Sequence, residues 1–273
     1  MQYLNLYFYN PAGELSRTQR VEVGQLDARG GISLNLPPDN YTMVAWGNND
    51  AAQCEIRNAE RLDDLRLSLR EDARGYVCEH PSLFHGRSSF SASVTEPAES
   101  QVSLIKNSNH IRVVLVDVTG TPPGTRGAEP LPGTDLRVRI RGCNWLYDGE
   151  NNLDPAARQR AMEYKPTPSF SADGWPQAEF DILRMFSDNS CQLKLSVEDT
   201  RYADDYAEAN PVHDLWLTQE IIDTIPEINT DDDLNRQDDF EVRLEVKLGP
   251  DLTWSVHRIL INDWEVGNSI GGI

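Results

Sequence analysis

Three stretches of this sequence carry residue types that could do chemistry. Gly267-Asn-Ser-Ile-Gly271 has the G-x-S-x-G spacing of a nucleophile elbow. In that motif a strand-turn-helix lifts the serine out of a sheet, and an acid and a histidine follow later in the chain. Only Gly272 and Ile273 follow Ser269, so a small, flexible end is expected here and not a nucleophile. Cys54, Cys78, His80 and His85 could be drawn as a zinc site, since thiolate and imidazole suit that ion. Their spacing is neither C-x-x-C nor H-x-x-x-H, and structural cysteines with loop histidines are the plainer reading. Asp231-Asp-Asp233, with Asn235, Asp238 and Asp239, is dense in the hard oxygen ligands that calcium takes. Arg236 stands where an EF-hand needs glycine, so a solvated acidic loop is the plainer reading. Carboxylates are so numerous that no pair stands out as acid and base. No catalytic constellation survives, neither enzyme nor cofactor is expected, and no metal site is assigned.

The cysteines and aromatics offer structural and binding roles instead. Cys54 and Cys78 lie in the first part of the chain, Cys143 and Cys191 in the second. In an oxidising compartment those pairs are favoured among three connectivities. Buried thiols are the alternative, because Cys191 sits in an apolar run where a thiol packs well. Of the six tryptophans, Trp46 and Trp264 have apolar strand neighbours and are expected in the core. Trp145 and Tyr147, in Gly142-Cys-Asn-Trp-Leu-Tyr147, and Trp175, between Gly174 and Pro176, have loop-like surroundings. They are the candidates for a partner or glycan surface. Asn40-Tyr-Thr42 spells a glycosylation sequon and reads as a turn entering a strand.

The elements that must position these residues are mostly strands. Phe240 to Leu248 alternates apolar and charged residues without a miss, the pattern of a half-buried antiparallel strand. Gly249-Pro250-Asp251 turns the chain into Trp254 to Trp264, whose apolar phase slips beside His257-Arg258 and predicts a β-bulge there. Earlier strands are read at Met1 to Tyr9, Ile32 to Leu36, Tyr41 to Trp46, Phe84 to Val94 and Val102 to Ile105. Leu62 to Leu69 could be strand or short helix. Ile111 to Val118 is the strongest apolar run and looks like a central, doubly buried strand. Thr119 to Gly133 is a Pro/Gly-rich loop, and Leu136 to Ile140 resumes alternation. Asp154-Pro155 predicts a capped helix to about Tyr164. Phe180 to Phe186 and Cys191 to Val197 read as a hairpin, and His213 to Ile225 as a helix. The polar Lys106-Asn-Ser-Asn109 suggests a boundary, giving an N-terminal sandwich over 1–106 and a C-terminal one over 107–273.

Composition narrows the function classes. The chain has 273 residues and 39 % hydrophobic content, enough for two cores. Its 44 acidic against 25 basic residues give a formal charge of −19, which repels phosphate backbones and argues against nucleic acid. No apolar run approaches the roughly 18–20 residues that span a bilayer. Met1 to Tyr9 lacks a basic n-region and a cleavage site, so an export signal is not expected within it.

A resemblance gathers these pieces. Leu36-Pro-Pro-Asp-Asn-Tyr-Thr-Met-Val-Ala-Trp-Gly-Asn48 resembles the "LPPGxYxxxAWGN" segment of minor fimbrial, or anchor, subunits of Bacteroidetes type V pili, with Asp39-Asn40 in place of the usual Gly. Leu83-Phe-His-Gly86 is similar to that family's "LFYG", with His85 for Tyr. Ala178 to Arg184 and Leu234-Asn-Arg-Gln237 are similar to its later core strand and its "LDRE" step. Ile259-Leu-Ile-Asn-Asp-Trp264 is similar to its terminal "IxINGW". The segments stand in family order across most of the chain. The resemblance implies an all-β chain of two transthyretin-like Greek-key β-sandwich domains, the second with short helical insertions. It also implies export to the outer membrane and cell surface as a lipoprotein. The role implied is that of a non-enzymatic fimbrial anchor or accessory subunit in fimbrial assembly and adhesion. Its partners would be other fimbrial subunits, joined by strand addition, and the membrane through an N-terminal lipid; no lipid-bearing cysteine stands near Met1. The closing strand is expected to be integral to its own sheet, which leaves the chain mainly an acceptor. A secreted carbohydrate-binding β-sandwich is the alternative.

Overall fold

In a computed structural model the described residues are 1–77, 82–118, 135–188, 191–202 and 211–267. Among them strand dominates, and the α-helices are the short Leu217–Thr224 and Asp231–Arg236. The chain divides into two compact units: Met1–Ser108 with Asn144–Arg160, and Asn109–Cys143 with Ala161–Ile273. The first crossing therefore falls at Ser108/Asn109. A division at 106 alone misses the return of 144–160 to the first unit. That return is made by pairing: Leu146–Asp148 runs antiparallel to Arg66–Leu69, which in turn pairs with Cys54–Arg57.

The first unit is built on a five-stranded sheet in the order Leu15–Glu22, Tyr3–Tyr9, Asp39–Gly47, Phe84–Ala92, Ile105–Lys106. Alternation gives it two apolar faces. Leu4, Leu6, Phe8, Val21, Tyr41, Met43 and Ala45 form one core cluster, with Phe8, Tyr41 and Phe90 in ring contact. That face is covered by Leu34, Leu36, Val102 and Leu104. Of the strands expected at Ile32 to Leu36 and Val102 to Ile105, only Ile105 lies in one, Ile105–Lys106. The side chains of Leu34, Leu36, Val102 and Leu104 reach the core while their backbones stay outside any ladder, and Pro37-Pro38 removes two of the amide donors a ladder would use. The opposite face buries Tyr9, Val44 and Trp46.

The second unit is a sandwich of two sheets. One places Pro211–Trp216, Lys194–Asp199, Leu136–Gly142 and Met162–Tyr164 side by side. The other runs Thr167–Phe170, Pro176–Leu183, Ser108–Asp117, Asp239–Leu248, Trp254–Ile261, Trp264–Glu265. Phe240, Val242, Leu244 and Val246 are buried, as the alternation requires, along with Ile111, Val113 and Leu115 of their neighbour. That neighbour is parallel, Asp239–Val246 lying beside His110–Asp117, whereas the hairpin partner Trp254–Ile261 is antiparallel. The hairpin register shifts between Glu245↔Arg258 and Val246↔Val256, so His257 is the extra residue of a bulge, where the phase slip put it.

Four local readings need correction. Pro176–Leu183 and Lys194–Asp199 do not form a hairpin; they lie in different sheets of the sandwich. Pro211–Trp216 is strand, and the helix begins only at Leu217. After Asp154 the chain makes a single 3-10 segment, Pro155–Gln159, with the Asp154 side chain accepting from the Ala156 amide, and then the strand Met162–Tyr164. The closing strand stops at Ile261, because Asn262 and Asp263 take φ of 47° and 68° in a tight turn that suits those two residue types.

Candidate functional site

The residues singled out for chemistry do not converge. Among the described residues no group of three or more His, Cys, Asp or Glu side chains is arranged to hold a metal ion. Cys78, His80 and Ser269 lie outside the described residues. Cys54 is buried, and His85 is packed against Trp46 with ring centroids 4.6 Å apart and its Nε2 3.2 Å from the Gly149 carbonyl. Both are therefore parts of a core. The acidic run is a helix and not a loop. Thr230 caps Asp231–Arg236, its hydroxyl accepting from the Asp233 amide while Asp233 accepts from Thr230 in return. Asp231 accepts from the Ser187 amide and hydroxyl, both at 2.7 Å, and pairs with Arg184 at 3.0 Å. Its oxygens already hold donors, which is a helix-docking role.

Cys143 and Cys191 come together in the second unit with Cα atoms 5.6 Å apart and are joined as a disulfide. Cys143 follows directly on that unit's Leu136–Gly142 strand, immediately before the chain leaves at Asn144.

The aromatics redistribute. Tyr147 is 0 % exposed, its hydroxyl donating to the Asn144 carbonyl at 3.2 Å, so it drops out as a surface residue. Strand pairing with Arg66–Leu69 turns it inward. Trp145 is half-buried and its indole N–H donates to the Ala157 and Arg160 carbonyls. Trp175 is half-buried beside the left-handed Gly174. Trp46 is in the core, but Trp264 is 46 % exposed because the Asn262-Asp263 turn reverses the strand before it. The sequence reading missed Trp216, which is 51 % exposed. Its signal was the alternation of Asp214 and Trp216 against His213 and Leu215, hidden by a helical reading of the same residues.

An open depression of ≈ 350 Å³ in the first unit is lined by Asn10, Pro11, Asn40, Tyr41, Thr42, Ser89, Phe90 and Ser91. It holds no titratable pair.

A search of curated proteins finds no match. Among solved structures, the fimbrial anchor protein Mfa2 from Porphyromonas gingivalis superposes with a TM-score of 0.71 at 20 % identity, over 97 % of this chain and 90 % of that one. A candidate adhesin from Bacteroides ovatus gives 0.75 at 18 %, over 97 % and 87 %. A candidate polysaccharide-binding protein from Bacteroides thetaiotaomicron gives 0.73 at 19 %, over 97 % and 89 %. At such identities these likenesses establish the fold. The family model for fimbrillin-A associated anchor proteins Mfa1 and Mfa2 matches residues 1–269, and the chain belongs to that family.

Proposed function

We propose that this chain is a non-enzymatic fimbrial anchor or accessory subunit of a bacterial surface. The observation that carries the reading is the match of residues 1–269, nearly the whole chain, to one family of anchor proteins. Other fimbrial subunits are the partners this implies. Joining by strand addition is the finer part of the proposal, and an edge strand with unpaired amides is the general template for it. The closing strand Trp254–Ile261 is already paired with Asp239–Leu248 and capped by Trp264–Glu265, which suits an acceptor better than a donor. Attachment to the outer membrane through an N-terminal lipid, and transthyretin-like Greek-key connectivity in both sandwiches, belong to the same proposal.

The test is co-purification. Affinity-tagged chain recovered from the outer-membrane fraction of fimbriated cells should carry fimbrial subunits with it. Recovery without any fimbrial subunit would overturn the reading.

A further inference from the structure

The solvent-facing side of one sheet in the second unit carries rows of paired charge that end in a tryptophan. Its inner residues Val138, Ile140, Leu195, Val197 and Leu215 are buried. Side chains directly opposite across an antiparallel ladder share a face, so the register defines what the outer side presents. Glu163 stands opposite Arg141, Arg141 opposite Lys194, and Lys194 opposite Trp216. The next outward row is Arg139, Ser196 and Asp214, and the one after it Arg137 and Glu198. Trp216 thus heads a row that crosses four strands and ends it 51 % exposed.

The charges on this side are layered. Arg139 is forked between Glu163 and Glu198, and Arg137 and Arg141 each take one of the same two carboxylates. Two carboxylates are shared by three guanidiniums. The carboxylates lie deep, Glu198 at 9 % and Glu163 at 15 % side-chain exposure, whereas Arg137 and Arg141 stand up at 41 % and 48 %. Lys194 pairs with Asp214 at 2.6 Å beside the tryptophan. Water therefore meets the Arg137 and Arg141 guanidiniums above their buried acids, and beside Trp216 it meets Lys194 and Asp214 about equally, at 38 % and 40 % side-chain exposure. In these bonds Arg137 uses Nε and Nη2 and Arg141 uses Nε.

We propose that this sheet face binds an anionic polysaccharide. The indole of Trp216 is the platform for the C–H face of a sugar ring, and Arg141, Lys194 and Arg137 supply donors for uronate carboxylates along the row. Arginine's fork matches carboxylate geometry and is held in place by the buried acids beneath it. A protein partner is disfavoured by the same features. Protein interfaces centre on apolar residues with charge at the rim, whereas the ladders here set Trp216 in a row with Lys194, Arg141 and Glu163 and beside a row of Asp214, Ser196 and Arg139. The surface is independent of fimbrial attachment, so its failure and that of the anchor reading are separable: co-purification with fimbriae reads one, saccharide binding the other.

Affinity electrophoresis of the whole chain tests it, with polygalacturonate, dextran or poly-L-glutamate cast into the gel. Polygalacturonate should retard the chain and neutral dextran should not. Trp216→Ala should weaken the retardation by at least about tenfold, as expected for an aromatic hot spot, while Trp216→Phe keeps most of it. Arg141→Gln repeats the test at an exposed strand position, away from the helix that Trp216 leads into, and should weaken it too. Equal mobility in polygalacturonate and dextran, or undiminished retardation of Trp216→Ala, overturns the proposal. So does poly-L-glutamate retardation as strong as that by polygalacturonate and indifferent to Trp216, which would mark an acidic protein as the partner.

Discussion

Replacing Cys143 and Cys191 together by alanine should destabilise the second unit substantially. The two residues are separated by 48 positions, and that loop includes the whole of 144–160. In the chain-entropy account of a cross-link, a 15-residue loop is worth ~3 kcal/mol and a 100-residue loop ~4.7 kcal/mol, so this bridge contributes about 4 kcal/mol. Alanine is the right replacement because Cys191 is buried and serine would place a hydroxyl there without a designed partner. For a unit of this size each kcal/mol moves the melting point by about 2–4 °C, so the double variant should melt ~8–16 °C lower. Circular-dichroism melts with and without a phosphine reductant measure it. The reduced wild type should move to the position of the variant, and the variant should ignore the reductant. Coincident melts of wild type, reduced wild type and variant would refute the reasoning. So would peptide mapping that links Cys54 to either residue, since Cys54 lies in the other unit.

Four further outcomes are expected. Ending the chain after Arg258 removes Ile259 and Ile261, both fully buried, and should abolish the cooperative melt of the second unit, whereas ending it after Gly267 should leave the melt intact. Gly86→Ala should lower the first unit's stability by about 1–3 kcal/mol, because the new Cβ would sit 2.6 Å from Val102 Cγ2 and 2.7 Å from the Ser103 carbonyl; urea titration reads it. Burial works against the Asp199 carboxylate, but the Arg201 guanidinium and amide outweigh it and hold the group below its ordinary 3.8. A depressed value means stability that is present above 3.8 and lost as pH falls through the folded value, so Asp199→Asn should flatten the acid limb of a stability–pH curve measured below about pH 4. Ile261→Ala, at a site with no exposure, should cost about 2–5 kcal/mol in the same titration.

How much of this was legible in the sequence depends on how local the signal is. The strand Phe240 to Leu248 and the bulge at His257 could be read because side-chain period and phase slip are properties of a few adjacent residues. Trp46 and the strand around it could be read the same way. The pairing of strands could not. Phe180 and Leu195 look like two arms of one hairpin, and only the packing of two sheets separates them. The parallel partnership of Asp239–Val246 with His110–Asp117 joins residues far apart in the chain, and nothing in either stretch names the other.

The surface was harder still. Trp145 and Tyr147 looked like loop residues because Gly142 and Asn144 flank them, yet a three-residue strand, Leu146–Asp148, turns Tyr147 into the core. Trp264 looked like a core residue because Ile259 and Ile261 precede it. Two left-handed residues between them reverse the chain and expose it. Trp216 shows the opposite failure. Its neighbours Leu217, Ile221 and Ile225 have helical spacing, and that stronger period absorbed a strand of six residues in front of it. The arginine row was visible as Leu136-Arg-Val-Arg-Ile-Arg141, but its carboxylate partners Glu163 and Glu198 come from other strands, so the layering of charge appears only when the ladders form.

The central claim is that this chain holds fimbriae to the cell, and one measurement addresses it directly. In a fimbriated bacterium that carries the chain, its deletion is followed by quantifying fimbrial subunits on washed cells and in the culture supernatant. The account predicts that assembled fimbriae move to the supernatant and that restoring the full chain returns them to the cells. Fimbriae that stay on washed cells in undiminished amount after the deletion would contradict it.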